Sequence, residues 1–230
     1  MKLIARLVEV AYLSSNDRSR MLALMERHYE CVAPAAFQAD LDEKRWVIQV
    51  AHAGELCGFS TQMILETNVD GRPVRALFSG DTIVDRQHWG DTALMAAVGR
   101  LALSLIDELP GELYWFLISQ GYKTYRYLPL FFKEFYPCYD APAPQHVGQV
   151  IEALARAKFG SSFDATTGII RSPTYHLREG IADVTSERLR DPHVEFFVER
   201  NPGHVRGDEL CCIAPLTRDN FTAAALRVFR

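Results

Sequence analysis

Asp81 stands near the end of an apolar stretch, Val74 to Val84, where a carboxylate is out of place. A charged group in a central strand needs a partner or a raised pKa, and catalytic proton acceptors meet both conditions. Alternation along an extended chain puts Ser79 and Asp81 on one face and Gly80 and Thr82 on the other. The competing reading is structural, a carboxylate bonded to neighbouring strands or turns. A second chemistry begins where this stretch ends, in Val84-Asp-Arg-Gln-His-Trp-Gly-Asp-Thr-Ala-Leu94. Gly90 sits in a tight turn and a helical pattern starts at about Thr92. The first N–H groups of a helix have no internal partners and its dipole favours negative charge, so Gln87–Thr92 is expected to cradle a phosphorylated ligand. An ordinary strand-to-helix turn is the alternative.

Other residues fit a proton-transfer role less sharply. Tyr122, Tyr125 and Tyr127 follow the apolar run Leu113–Ile118, and Tyr127 is the candidate proton donor among them. Aromatic packing of a helix on a sheet explains the same cluster. Ser119, at the end of that run, is a candidate donor or water ligand. His193, His204 and Asp208 match no tight ligand spacing and read as a solvated loop, so no metal is expected. His28 reads as a core-boundary helix residue. His88 and Trp89 lie inside the cradle, where they contact a phosphate and a cofactor or, equally, close a turn and anchor a surface.

The elements that position these residues follow from hydrophobic period and punctuation. Leu3–Leu13 reads as a strand, Ser14 to Tyr29 as a capped helix, and Pro34–Arg45 as a short second helix. Trp46–His52, Leu56–Thr67 and Val74–Val84 form three strands joined by Gly54 and Gly71 turns, an antiparallel meander. Thr92–Asp107 is the strongest helix. The run Leu113–Ile118 suits a strand buried on both faces and parallel to its neighbour after a helical crossover. Gly121–Tyr136 is read as mostly helical and kinked or divided at Pro129. A helix follows Ala141–Pro144, and 160–191 reads as an irregular cap. Val194–Glu199 and Glu209–Leu216 are read as a late strand pair, and Asn220 as the cap of a final helix.

The net charge of −4 and the lack of a Lys/Arg cluster exclude nucleic acid as an expected partner. No run approaches the roughly 18 apolar residues of a membrane span, and the N-terminus lacks a signal-peptide pattern. Five scattered cysteines without C-x-x-C spacing fit reduced thiols in a cytoplasm.

In order and in motif, the chain resembles the GNAT (GCN5-related N-acetyltransferase) superfamily of N-acyltransferases. Trp46–Ser60 resembles that family's second and third strands, with the Gly-Glu turn and the Gly-Phe pair in place. Gln87, Gly90 and Thr92 stand at the positions of its cofactor motif, and Leu130-Phe-Phe-Lys-Glu-Phe-Tyr136 resembles its fourth-helix signature. The resemblance covers roughly residues 1 to 137. It implies an α+β fold of α/β/α layers, with a mixed central sheet containing an antiparallel meander and a parallel strand pair. A core of 1–140 would bind the cofactor, and 141–230 would be a C-terminal extension packed on it. The implied activity is transfer of an acetyl or other acyl group from CoA to an amine by direct transfer. Acetyl-CoA or another acyl-CoA would sit at Ile83, Val84, Gln87, His88, Trp89, Gly90, Asp91 and Thr92, with Asp81, Tyr127 and Ser119 as the chemical groups. Phe131 stands where the family's tyrosine acid often lies, Phe135 replaces a glycine, and His88, Trp89 and Asp91 replace residues that are often basic. Two alternatives follow: a non-catalytic acyl-CoA-binding or interaction module, and an acyltransferase that uses an acyl carrier protein and a longer chain. The expected acceptor is a small-molecule amine, and a late strand pair that meets another subunit would make a homodimer.

Overall fold

The structure is a computed structural model that describes residues 2–171 and 175–230. Part of the expected cap, 172–174, lies outside the described residues. In chain order the elements are β1 (Ile4–Glu9), α1 (Ser15–His28), β2 (Tyr29–Glu30), α2 (Pro34–Glu43), β3 (Trp46–His52), β4 (Glu55–Val69) and β5 (Arg72–Val84). Then come α3 (Ala93–Glu108), β6 (Glu112–Ser119), α4 (Tyr122–Tyr125), α5 (Tyr127–Phe131), α6 (Gln145–Phe159), β7 (Phe163–Asp164) and β8 (Ile169–Ile170). The chain closes with β9 (His176–Leu177), α7 (Pro192–Arg200), β10 (Glu209–Pro215) and α8 (Ala223–Val228).

Among the described residues, eight strands make one sheet in the order β1-β3-β4-β5-β6-β10-β8-β7. All neighbours are antiparallel except β5 and β6, which are parallel. The α3 crossover makes that arrangement possible, and β6 is accordingly apolar on both faces, Leu113–Leu117 being buried throughout. One face packs under α3, α8 and the α4–α5 segment through Trp115, Leu117, Leu101 and Phe229. The other packs under α6 through Phe78, Phe116 and Leu154, and under α1 and α2 through Met25, Phe37 and Phe59. The result is the expected α+β fold with helices on both sides of a mixed sheet. No helix among the described residues is long and apolar enough to cross a membrane.

The parallel pair does not run the length of its strands. Pairing extends from Val74↔Glu112 to Ser79↔Leu117 and stops, although β5 continues to Val84. Beyond Ser79, β5 stays with β4 as far as Gly58↔Val84, while the end of β6 stays with β10 at Ser119↔Leu210. The two strands part at Gly80. Here β5 carries a bulge: between Ser60↔Thr82 and Gln62↔Ser79, Thr61 alone faces Gly80 and Asp81. An extra residue reverses the alternation beyond it. Ser79 therefore turns to Trp115 and Gln62 on the α3 side, whereas Asp81 turns to Tyr175 on the opposite side. The expected shared face of Ser79 and Asp81 does not exist. Gly80 is required by close approach, since a Cβ there would lie 2.6 Å from the Thr61 hydroxyl oxygen.

Four local expectations are corrected. Val194–Glu199 is helical within α7, because Asp191 accepts from the His193 N–H, Pro192 opens the first turn, and Val194 and Phe197 bury one face. The late strand pair is thus a single strand, β10, lying between β6 and β8. Gly121–Tyr136 holds only two short helices, divided at Arg126, and Pro129 is accommodated in the first turn of α5. Its second half is extended, and Tyr136 and Ile213 exchange backbone hydrogen bonds at 2.8 and 2.7 Å. Finally, Thr222 caps α8, while the Asn220 amide ties Glu134 to Pro215.

Candidate active site

The parting of β5 and β6 opens a cleft of about 270 Å³. Its walls are Gly80–Val84 from β5, His88–Asp91 from the following loop, and Ile118, Gln120, Lys123 and Tyr127 from β6 to α5. His28, Tyr29, Leu177, Ile181, Ala182 and Glu209 complete it. Behind it lies a second cavity of about 160 Å³ under α2, α6 and β8. Gly80, Asp81, Ile118 and Glu209 line both and form the partition between them.

The loop end of the cleft presents backbone donors. Gly90 has φ +92° and open space where a Cβ would be, so the backbone stands bare there. The N–H groups of Gly90, Thr92, Leu94 and Met95 donate to no described residue. Asp91, an awkward neighbour for an anion, accepts from the Ala93 N–H at 2.7 Å, which engages its carboxylate in capping. Basic character comes from across the cleft. The Lys123 ammonium lies 3.2 Å from the centre of the Trp89 ring and donates to the Ile181 carbonyl at 2.6 Å. Burial, with help from Arg86 and Arg188, lowers its pKa to about 8. Trp89 is itself fixed by donating its indole N–H to the Val84 carbonyl at 2.8 Å.

At the partition, Asp81 accepts a hydrogen bond from the Tyr175 hydroxyl at 3.2 Å. Burial raises its pKa to about 6, Asp40 adds to the rise, and Lys44 opposes it. Glu209 is raised further, to about 8, by burial and then by Asp81 and Asp40. A buried ladder fixes the β5 backbone beside them. Trp115 donates to Ser79, Ser79 to Gln62, and Gln62 to Ser60, which shares a 2.7 Å hydrogen bond with Thr82. The Tyr127 ring stacks on Phe131 with centroids 6.1 Å apart, and burial raises its hydroxyl pKa.

Of the residues singled out from sequence, Asp81, Tyr127, Ile83, Val84, His88, Trp89, Gly90 and Asp91 come together around the cleft. Gln87 and Thr92 are exposed on the same loop but outside the lining, and Ser119 is buried with its hydroxyl outside both cavities. His193 packs on Phe135 and Tyr139 and His204 on Phe197, apart from the cleft. No cluster of His, Cys, Asp or Glu suited to a metal occurs among the described residues. Sequence reasoning missed Glu209, Tyr175, Lys123 and Gln120. Gln120 holds the 175–177 segment over the cleft by accepting from the Leu177 N–H at 2.7 Å. Glu209 carried one signal, an acid opening an apolar strand directly after Asp208, but only the β10–β6 register brings it to the splay.

An antiparallel meander, a parallel pair that parts midway, and a bare loop feeding a helix N-terminus beside the parting are now assembled. The fold is GNAT-like. No family model matches the sequence, and no curated protein matches it. Among solved structures, this chain overlaps a protein from Enterococcus faecalis described as a probable N-acyltransferase, at 14% identity and TM-score 0.45. That overlap covers 58% of this chain and only 33% of the other. It also overlaps a ribosomal-protein-alanine N-acetyltransferase from Brucella melitensis, at 14% identity, TM-score 0.45, and 62% and 99% coverage. A third overlap is with the GNAT family N-acetyltransferase YhbS from Escherichia coli in complex with CoA, at 16% identity, TM-score 0.38, and 55% and 69% coverage. These overlaps are partial and remote, and the fold rests on the sheet order and register above.

Proposed function

We propose that the protein transfers an acyl group from an acyl-CoA to an amine across the partition at Gly80. The observation that carries this reading is the parting of β5 from β6, which joins a cleft with an anion-accepting rim to a second, carboxylate-bearing cavity. The CoA phosphates would meet the unpartnered N–H groups of Gly90, Thr92, Leu94 and Met95 and the Lys123 ammonium, and the acyl arm would follow Gly80–Val84. Bound there, the thioester supplies an activated acyl carbon. The chain's own residues do the rest. Asp81, with its pKa raised to about 6, is ionised at neutral pH yet basic enough to take a proton from the amine. Tyr127, which lines the cleft one helical turn before Phe131, is the proton donor on the thiol side. Ser119 has no role in this arrangement.

Acetyl-CoA is expected to raise the melting temperature of the wild-type protein, and release of free thiol in an amine mixture is expected to report turnover. Gly90→Glu adds a carboxylate to the rim, at a strain cost of about 1 kcal/mol for a positive φ. It should abolish the acetyl-CoA shift while the unliganded protein still melts cooperatively. Absence of stabilisation by any acyl-CoA overturns the proposal. Stabilisation without thiol release favours a non-catalytic module, and release with acylated carrier protein but no acyl-CoA favours the carrier-protein enzyme.

A further inference from the structure

The second cavity carries an imbalance of charge. Asp40 is engaged by Lys44 at 2.5 Å and by Lys158 at 3.2 Å, Lys158 also reaches Glu43, and Arg171 is held by Asp164 at 3.2 Å. These groups neutralise one another. Asp81 and Glu209 are left, and among the described residues neither forms an ion pair. Asp81 has one hydrogen bond, from Tyr175, and the Glu209 carboxylate has none with the described side chains. Lys44 and Lys158 line the same cavity and lower the Asp81 pKa, but both are engaged by Asp40. Asp81 and Glu209 thus face two cavities without a cation in contact, which is costly unless one arrives or a proton is retained. Their surroundings suit a particular cation. Tyr175 packs edge-on against Tyr29 with centroids 5.2 Å apart, and these tyrosines line the two cavities on either side of the carboxylates. Aromatic rings beside a carboxylate pair hold an alkylammonium by charge and by the ring quadrupole, and they offer nothing to an anion.

We infer that Asp81 and Glu209 together are the seat of the acceptor, which is a small primary alkylammonium, with Glu209 as the binding carboxylate and Asp81 as the proton acceptor. The inference rests on the acyl-transfer reading for its chemistry, but not for its binding. The proton count requires such a seat. A bound R–NH₃⁺ must lose one proton to become a nucleophile, and Asp81 takes it and passes it to solvent. The amine nitrogen then forms a bond to the acyl carbon and the carbon–sulfur bond breaks. The second nitrogen proton is lost to the carboxylate pair, and the thiolate gains one from Tyr127, which the pair reprotonates. Amide, thiol and one solvent proton result. The retained proton on Glu209, whose pKa is raised to about 8, is the one an arriving ammonium displaces.

The test uses the full chain and three probes of matched size: n-butylammonium, 1-butanol and butyrate, titrated calorimetrically in the presence and absence of CoA. Butylammonium should bind at least about tenfold more tightly than either of the others, as loss of a charge-assisted contact implies. Glu209→Gln should weaken butylammonium by about tenfold and raise its KM, and Asp81→Asn should lower kcat, with the CoA-dependent melting shift retained in both. Butanol or butyrate binding as tightly as butylammonium, or an unchanged affinity in a folded Glu209→Gln, overturns the inference. If butylammonium is preferred but CoA gives no stabilisation, the seat stands and the acyl-transfer reading falls. If CoA stabilises the protein without any ammonium preference, the seat falls alone.

Discussion

At the scale of single residues, the cleft substitutes one source of positive charge for another. Its loop offers His88, Trp89 and Asp91 where a basic group would be convenient, and among the described residues the only lysine or arginine lining the cleft is Lys123, from the opposite wall. Its ammonium sits between the Trp89 face and the Ile181 carbonyl, at the junction of the loop and α4. A cation so placed is worth about 1–2 kcal/mol toward a phosphate that reaches it. Lys123→Met should therefore weaken CoA by about tenfold, with a shallower salt dependence than wild type. The lowered pKa gives the pH signature. Below about 8 the ammonium is intact and above it is lost, so wild-type CoA affinity should decline as pH passes through that value. The Lys123→Met protein should lack that component of the decline, and calorimetry across the pH range distinguishes the two profiles.

At the scale of elements, α3 is the beam on which the loop is mounted, and one glycine sets its distance from α8. A Cβ on Gly99 would lie 2.1 Å from the Phe229 ring, which is buried against Phe131 and Phe221. Gly99→Ala gains about 1 kcal/mol of helix propensity but must displace that ring, and overpacking of this kind costs about 1–3 kcal/mol or more. A net fall in melting temperature of a few degrees is expected, and Phe229→Leu in the same chain should recover part of it by returning space. The elements themselves were largely legible. Trp46–His52 and the two strands after it announce themselves by apolar runs separated at Gly54 and Gly71, which take the positive φ their turns demand. The α3 stripe and the unbroken run of β6 fixed the parallel crossover. The stretch Val194-Glu-Phe-Phe-Val misled because its residue types favour strands, although Asp191 and Pro192 carry the start signal of a helix. The site was less legible for two physical reasons. A single bulge residue at Gly80–Asp81 moves Asp81 to the other face of the sheet, and bulges leave no hydrophobic period. Glu209 reaches Asp81 only through strand registers that connect residues more than ninety positions apart.

At the scale of the whole molecule, a cavity that awaits a cation should leave a mark on stability. Asp81 and Glu209 have folded-state pKa values, about 6 and about 8, above the 3.8 and 4.5 of ordinary carboxyls. The folded protein therefore binds their protons more tightly than the unfolded chain does. Their contribution is fully favourable below the unfolded values and is lost as pH rises through the folded ones, here between about pH 4 and about pH 8. Other groups act with the opposite sign. Asp17, Asp40 and Glu112 are held below their ordinary values, so what they contribute is lost only on acidification. His193 and His204, lowered mainly by burial, favour the folded state as pH rises past their ordinary range. A single melting curve mixes these terms, and the difference between wild type and Glu209→Gln separates them. That variant should melt a few degrees above wild type at about pH 8 and lose the advantage at about pH 5, where the native carboxyl is protonated in the fold. Butylammonium should close the gap at the higher pH by stabilising wild type alone. A constant offset between the two proteins at every pH would mean that Glu209 does not change its charge on folding, and that the cavity carries no unpartnered carboxylate for a cation to meet.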